Sequence, residues 1–162
     1  MIIKDYIDID FVNYKLPSMT IMTPRCNGFK CDAECGKRVC QNSALATAAN
    51  IEIPTHKLIK LYLNNPVTQA IVFQGLEPFD SWNEINEFIW RLRYNYNCDD
   101  PVVIYTGYTE EELHNKGLYP EHFHYGKVII KYGRYIPDQE SHHDEILGVN
   151  LASPNQYAKE YN

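Results

Sequence analysis

The sequence predicts an α/β fold built on a mostly parallel sheet. Three observations carry that expectation. Two apolar runs, Gln69-Ala-Ile-Val-Phe73 and Val102-Val-Ile-Tyr105, have the continuous hydrophobicity of strands buried on both faces. Segments of helical periodicity lie before and between them. Four of the five cysteines fall between Cys26 and Cys40, in a glycine-bearing stretch between a strand-like segment and an alanine-rich one. Alternating strand and helix signals favour a parallel sheet, and such sheets bind ligands at the carboxyl ends of their strands.

Taken in order, Tyr6-Ile-Asp-Ile-Asp-Phe-Val12 alternates, with Ile7, Ile9 and Phe11 on one face and Asp8 and Asp10 on the other. It reads as an edge hairpin with Met19–Thr23, which Pro24 stops. Gln41–Asn50 favours helix through its alanines, with Asn42 as a capping residue. Pro54–Asn64 reads as a second helix, with Leu58, Ile59, Tyr62 and Leu63 at helical spacing. After the strand ending at Phe73 comes the turn Gln74-Gly-Leu-Glu-Pro78. Ser81 then caps a helix with Glu84 at the capping-box position and an Ile85, Phe88, Ile89, Leu92 stripe. Val102–Tyr105 is followed by a Thr-Gly-Tyr turn and a helix start at Thr109, with Glu112 three residues on. Gly126–Lys131 is a further strand. From Tyr132 turn residues dominate, so the tail 132–162 packs across the sheet rather than forming a second domain. The stretch 1–162 is expected to be one domain.

Composition narrows the function classes. At 162 residues the chain supports a sizeable core, yet is too short for a full eight-fold barrel, which takes roughly 200 residues or more. Its net charge of -6 argues against a nucleic-acid binder, which carries a basic face. No run reaches the ~18 apolar residues of a membrane span, and the first residues lack a signal-peptide pattern. The expectation is a cytoplasmic protein without membrane or nucleic-acid partners. In a reducing compartment clustered cysteines are metal ligands or redox groups rather than disulfides.

The cluster loop, residues 24–42, has the spacing Cys-x4-Cys-x3-Cys-x4-Cys. Zinc modules present two knuckles, roughly 15–20 residues apart in ribbon types, which this compact stretch does not provide. Iron–sulfur clusters accept thiolates from one wrapping loop. Three thiolates on a four-iron cluster leave one iron open for a ligand. Zinc, a structural cysteine set and an iron–sulfur cluster all remain readings of the spacing, and the third suits it best. His122, His124, His142 and His143 read as solvated loop histidines, and Cys98 as a structural thiol near a helix end.

The motifs resemble those of the radical S-adenosylmethionine (SAM) superfamily. Cys26-Asn-Gly-Phe-Lys-Cys31 and Cys40-Gln-Asn42 resemble its cysteine motif, usually Cys-x3-Cys-x2-Cys, with one residue inserted in the first interval and a longer insertion before the last. Phe73-Gln-Gly-Leu-Glu-Pro78 resembles the Gly-Gly-Glu-Pro turn, with Leu76 in place of the second glycine. Val103–Leu113, Gly133–Pro137 and Leu147–Gln156 resemble segments of one subgroup, the activating enzymes of anaerobic (class III) ribonucleotide reductase. Tyr132 stands where that subgroup has an acidic residue.

The resemblance implies a partial (β/α) barrel or an open, mostly parallel sheet of the small activase type. It implies a [4Fe-4S] cluster held by Cys26, Cys31 and Cys40, with Cys35 as an alternative third or a fourth ligand. It implies SAM as cofactor, contacted by Gly75, Glu77, Thr106 and Gly107. Ser153, Asn155 and Gln156 either contact SAM or tie down the tail. The implied reaction is reductive cleavage of SAM, then formation of a glycyl radical on the large subunit of an anaerobic ribonucleoside-triphosphate reductase. An external electron donor such as flavodoxin would supply the electron. The alternative is a non-catalytic relative that holds a closed cluster or zinc and serves as electron carrier or docking subunit.

Overall fold

Buried β-branched runs set the frame. In the computed structural model, which describes residues 1–162, six strands form one open sheet. They are β2 (Asp5–Asp10), β3 (Ser18–Thr23), β5 (Ala70–Gly75), β6 (Val102–Tyr105), β7 (Val128–Tyr132) and β10 (Tyr157–Tyr161), in the spatial order β10-β7-β6-β5-β3-β2. The four central strands run parallel, whereas β2 and β10 join antiparallel at the two edges. No barrel closes, so of the two expected forms the open sheet is the one observed. A short ladder pairs β1 (Ile2–Ile3) with β4 (Ile51–Glu52), and a hairpin joins β8 (His142–Asp144) to β9 (Val149–Leu151).

The period-2 geometry of strands divides the core between two faces. Ile71 and Phe73 of β5 point with Ile21, Ile104 and Ile130 towards one side. There they meet Leu58, Ile59 and Tyr62 of α3 (Thr55–Asn64) and Ile85, Phe88, Ile89 and Leu92 of α4 (Trp82–Tyr94). Ala70, Val72, Val103 and Ile129 point the other way and are covered by Tyr14, Leu147, Leu151 and Ala158. Leu147 and Leu151 of the tail lie in this second cluster, and the tail also adds β10 to the edge of the sheet.

Local chemistry explains where elements depart from expectation. The alternating segment 6–12 does form an edge hairpin, but Ile7, Ile9 and Phe11 stay exposed. Asp10 turns inward instead, because its carboxylate accepts from the buried Thr20 hydroxyl and from Val12 N, and the register shifts between Ile7 and Asp10. The alanine-rich helix is shorter than predicted: α2 spans Ser43–Thr47, and Lys4 Nζ takes the Ala46 and Ala48 carbonyls at its end. Leu63 faces solvent rather than the core. Ser81 makes no cap: its hydroxyl is buried without a partner, while the Glu77 side chain accepts from Phe79 N and caps the 3-10 turn Pro78–Ser81. At α5 (Glu110–Asn115) the Thr109–Glu112 capping box is present as predicted.

Candidate functional site

The carboxyl ends of β3, β5, β6 and β7 lie side by side, with Thr23 opposite Gly75 and Tyr105 opposite Lys131. A cavity of about 460 Å³ opens at this edge. Cys26, Cys31 and Cys40 line it together with Gly75, Glu77, Thr106 and Gly107. Cys35 does not. The predicted site residues, drawn from three separate stretches of chain, thus surround one space, and the extra thiol stands outside it.

The cysteine loop is less irregular than expected. A short helix, α1 (Lys30–Cys35), begins at Phe29 (φ 41) and stops at Gly36 (φ 62), and none of its residues is buried. Polar anchors hold the loop in place of a core. Asp80, after β5, accepts from Asn27 N at 2.6 Å and from the Tyr108 hydroxyl at 2.7 Å. Lys30 Nζ lies 4.1 Å from the Tyr108 ring centroid. At the far end, Asp32 Oδ1 accepts from both Val39 N and Cys40 N at 2.7 Å.

All five thiols are free and half-buried. Burial pushes the Cys26 and Cys31 thiols up, so both hold protons at neutral pH. No three cysteine, histidine or carboxylate side chains are grouped around a single-ion position. Zinc ligands converge within about 2.3 Å of one ion, whereas the thiolates of a multi-iron cluster spread over several metal atoms. The donor set fits such a group: three thiols from one loop facing one cavity.

Glu77 is the electrostatic centre of the cavity. It is 2% exposed. Oε1 accepts from the Thr106 hydroxyl at 2.7 Å and Phe79 N at 3.2 Å, and Oε2 accepts from Gly107 N at 2.9 Å. A carboxylate has about four lone-pair sites, so these three bonds leave one free. Burial pushes its pKa up to about 7, against the lowering effect of these hydrogen bonds. Thr106 and Gly107 therefore reach the site as supports of Glu77.

Gly75 ends β5 at φ 94, where a Cβ would approach Met22 and Leu45 to 3.0 Å. Its carbonyl accepts from Asn42 Nδ2 at 2.7 Å. Asn42 accordingly makes no helix cap but ties the start of α2 to the end of β5. The tail residues act as ties as well: Ser153 and Asn155 bond the Arg134 carbonyl, and Gln156, which also lines the cavity, bonds Gly133 O.

Sequence reasoning missed Lys131. It lines the cavity from the carboxyl end of β7, is 6% exposed, and has no carboxylate partner, its Nζ donating to Gly133 O at 2.7 Å. Burial lowers its pKa to about 8, offset in part by Cys31 and Glu77. The signal was there: a single charged residue closes an otherwise apolar buried strand, at the ligand-binding end. Asp32 and Asp80 were missed too, since a carboxylate next to a cysteine in a polar loop carries no sequence pattern of its own.

No helix is long and apolar enough to cross a membrane. Among known families, the model described as a 4Fe-4S single cluster domain matches residues 25–154, from the base of the cysteine loop into the tail. No curated protein and no solved structure matches the chain.

Proposed function

The chain belongs to the 4Fe-4S single cluster domain family, and on that premise we propose that it is a radical SAM activase. Its substrate class is a glycyl-radical protein, the large subunit of an anaerobic ribonucleoside-triphosphate reductase, with an external donor such as flavodoxin supplying the electron in a reducing, cytoplasmic setting. One observation carries this reading. The cavity faced by three thiols also holds a buried carboxylate, Glu77, and a buried ammonium without a counter-ion, Lys131. That pair complements a zwitterion, and the methionyl end of SAM is one.

Cys26, Cys31 and Cys40 would hold the cluster, leaving Cys35 outside the ligand set. One-electron cleavage of a sulfonium carbon–sulfur bond, followed by hydrogen-atom removal from a glycine, is the chemistry that a reduced cluster and SAM supply. The chain's own residues bind, orient and shield. Glu77 receives the ligand ammonium at its free lone pair, a charge-assisted bond that favours the ionised carboxylate. Thr106 and Gly107 hold that carboxylate in place. Lys131 faces the ligand carboxylate. Gly75 keeps the strand end close to Met22 and α2, and Leu76 adds an apolar wall.

Anaerobic reconstitution, reduction and addition of SAM test the proposal through the yield of 5′-deoxyadenosine and methionine. Cleavage that is lost in Cys26→Ser, Cys31→Ser and Cys40→Ser but kept in Cys35→Ser is the expected result. A chain that loads a full cluster yet leaves SAM intact would make it an electron carrier or docking subunit instead.

A further inference from the structure

The interval between Cys31 and Cys40 is long, and chain spacing alone does not bring the second thiol back to the cavity that the first one faces. A side chain does so. Asp32 follows Cys31 directly, and its Oδ1 receives the backbone N–H groups of Val39 and Cys40, each at 2.7 Å. Hydrogen bonds to an ionised acceptor are stronger than neutral ones, and two on one oxygen pin both backbone groups to the residue beside Cys31. Residues 33–38 then form a closed excursion, turned by Gly36 in the left-handed region. Cys35 lies within that excursion and off the cavity, while Cys31 and Cys40 both line it.

We propose that Asp32 is a positioning residue that selects Cys40 over Cys35 as the third thiolate of the iron–sulfur site. The inference rests on the reading that the cavity thiols hold the cluster. It goes further by naming what sets the ligand register: a carboxylate clasp, in place of short spacing between cysteines. The clasp has a counterpart at the other end of the loop, where Asp80 receives Asn27 N beside Cys26. The two carboxylates hold the outer thiols of a loop that buries no side chain of its helix.

The test is cysteine footprinting on the anaerobically reconstituted chain, read by mass spectrometry after brief iodoacetamide treatment, with iron content and the reduced cluster's electron paramagnetic resonance spectrum alongside. In the unaltered chain Cys26, Cys31 and Cys40 are protected and Cys35 is alkylated. In Asp32→Ala alkylation of Cys40 rises by about tenfold or more, the loss expected for one to two charge-assisted bonds, and protection of Cys35 rises in exchange. Asp32→Asn, which keeps an acceptor oxygen without the charge, falls between the two. In Asp32→Ala combined with Cys35→Ser, iron content drops because neither thiol is held in place.

An Asp32→Ala chain with the parent's footprint, iron content and spectrum would overturn the proposal. Labelling that shows Cys35 protected, or Cys26 and Cys31 unprotected, in the unaltered chain would instead overturn the ligand reading beneath it. Asp32 bonds only backbone groups of its own loop, so far-ultraviolet circular dichroism of the variant is expected to match the parent. A collapse of that spectrum would count against the clasp as a local device.

Discussion

Strand β5 and the cysteine loop meet at Gly75, yet different forces hold them. Ala70, Ile71, Val72 and Phe73 are all fully buried, packed on one face by α3 and α4 and on the other by the tail. Helix α1, in the loop, has no fully buried residue. Its order comes from Asp32, Asp80 and the Lys30–Tyr108 contact, polar groups of which the last two reach from the loop to the turns after β5 and β6. The sheet is a close-packed solid whose stability scales with buried area. The loop is a set of tethers whose role is to aim thiols. A site that must accept a bulky inorganic group gains from this division, because the tethers can move without loss of the core.

The widest expected effect lies on the sheet side. Phe73→Ala removes a ring packed edge-on against Phe88, with centroids 5.2 Å apart, and should cost about 3–5 kcal/mol. Urea unfolding of the metal-free chain measures it. A cost below about 1 kcal/mol would mean that β5 is not the rigid partner in the comparison.

Glu77 stands at the border of the two regions, and its effect depends on pH. Its folded pKa is about 7 against an ordinary value of 4.5, with burial the main cause. The sign follows from linkage. Below pH 4.5 the group is protonated in both states and its contribution is fully present. Between 4.5 and 7 the unfolded chain ionises first, so stability falls as pH rises, by about 3 kcal/mol in all. Glu77→Gln removes that descent while mismatching Gly107 N. The variant therefore starts below the parent at pH 4.5, and the gap should narrow steadily to pH 7 in unfolding curves. A constant gap would show that Glu77 ionises normally.

The same division explains what the sequence revealed. The apolar runs 69–73 and 102–105 declared buried strands because burial on both faces leaves no other composition. The Thr109–Glu112 box was legible because capping has a fixed local spacing. Ile7, Ile9 and Phe11 misled because alternation tells which residues share a face, not which face is covered; Asp10 and Thr20, ten residues apart, decided that. Ser81 failed as a cap because it ends the 3-10 turn Pro78–Ser81 that runs straight into α4, which leaves its hydroxyl buried without a partner. At the site, Cys26, Cys31, Cys40, Gly75, Glu77, Thr106 and Gly107 were readable as motif fragments. Lys131 and the two carboxylate anchors were not, since their roles arise only when strand ends and loop are brought together in space.

Gly75 tests the seam itself. Alanine there would hold a backbone at φ 94 and press its Cβ to 3.0 Å from Met22 and Leu45. The strain should cost roughly 1–3 kcal/mol, less than Phe73→Ala. It should also loosen α2 through the Asn42 bond to the Gly75 carbonyl, visible as faster hydrogen exchange over Ser43–Thr47.

The smallest effect should come from the loop. Cys35 is half-buried, lies at the end of α1 and makes no side-chain hydrogen bond to another residue, while Gly36 turns the chain away just after it. Cys35→Ser should leave the unfolding free energy of the metal-free chain within about 0.5 kcal/mol of the parent, with an unchanged denaturant slope. The contrast with Phe73→Ala is then close to tenfold in free energy. A loss of 2 kcal/mol or more would mean that the excursion 33–38 packs as core does, and the loop could no longer be regarded as tethered independently of the sheet.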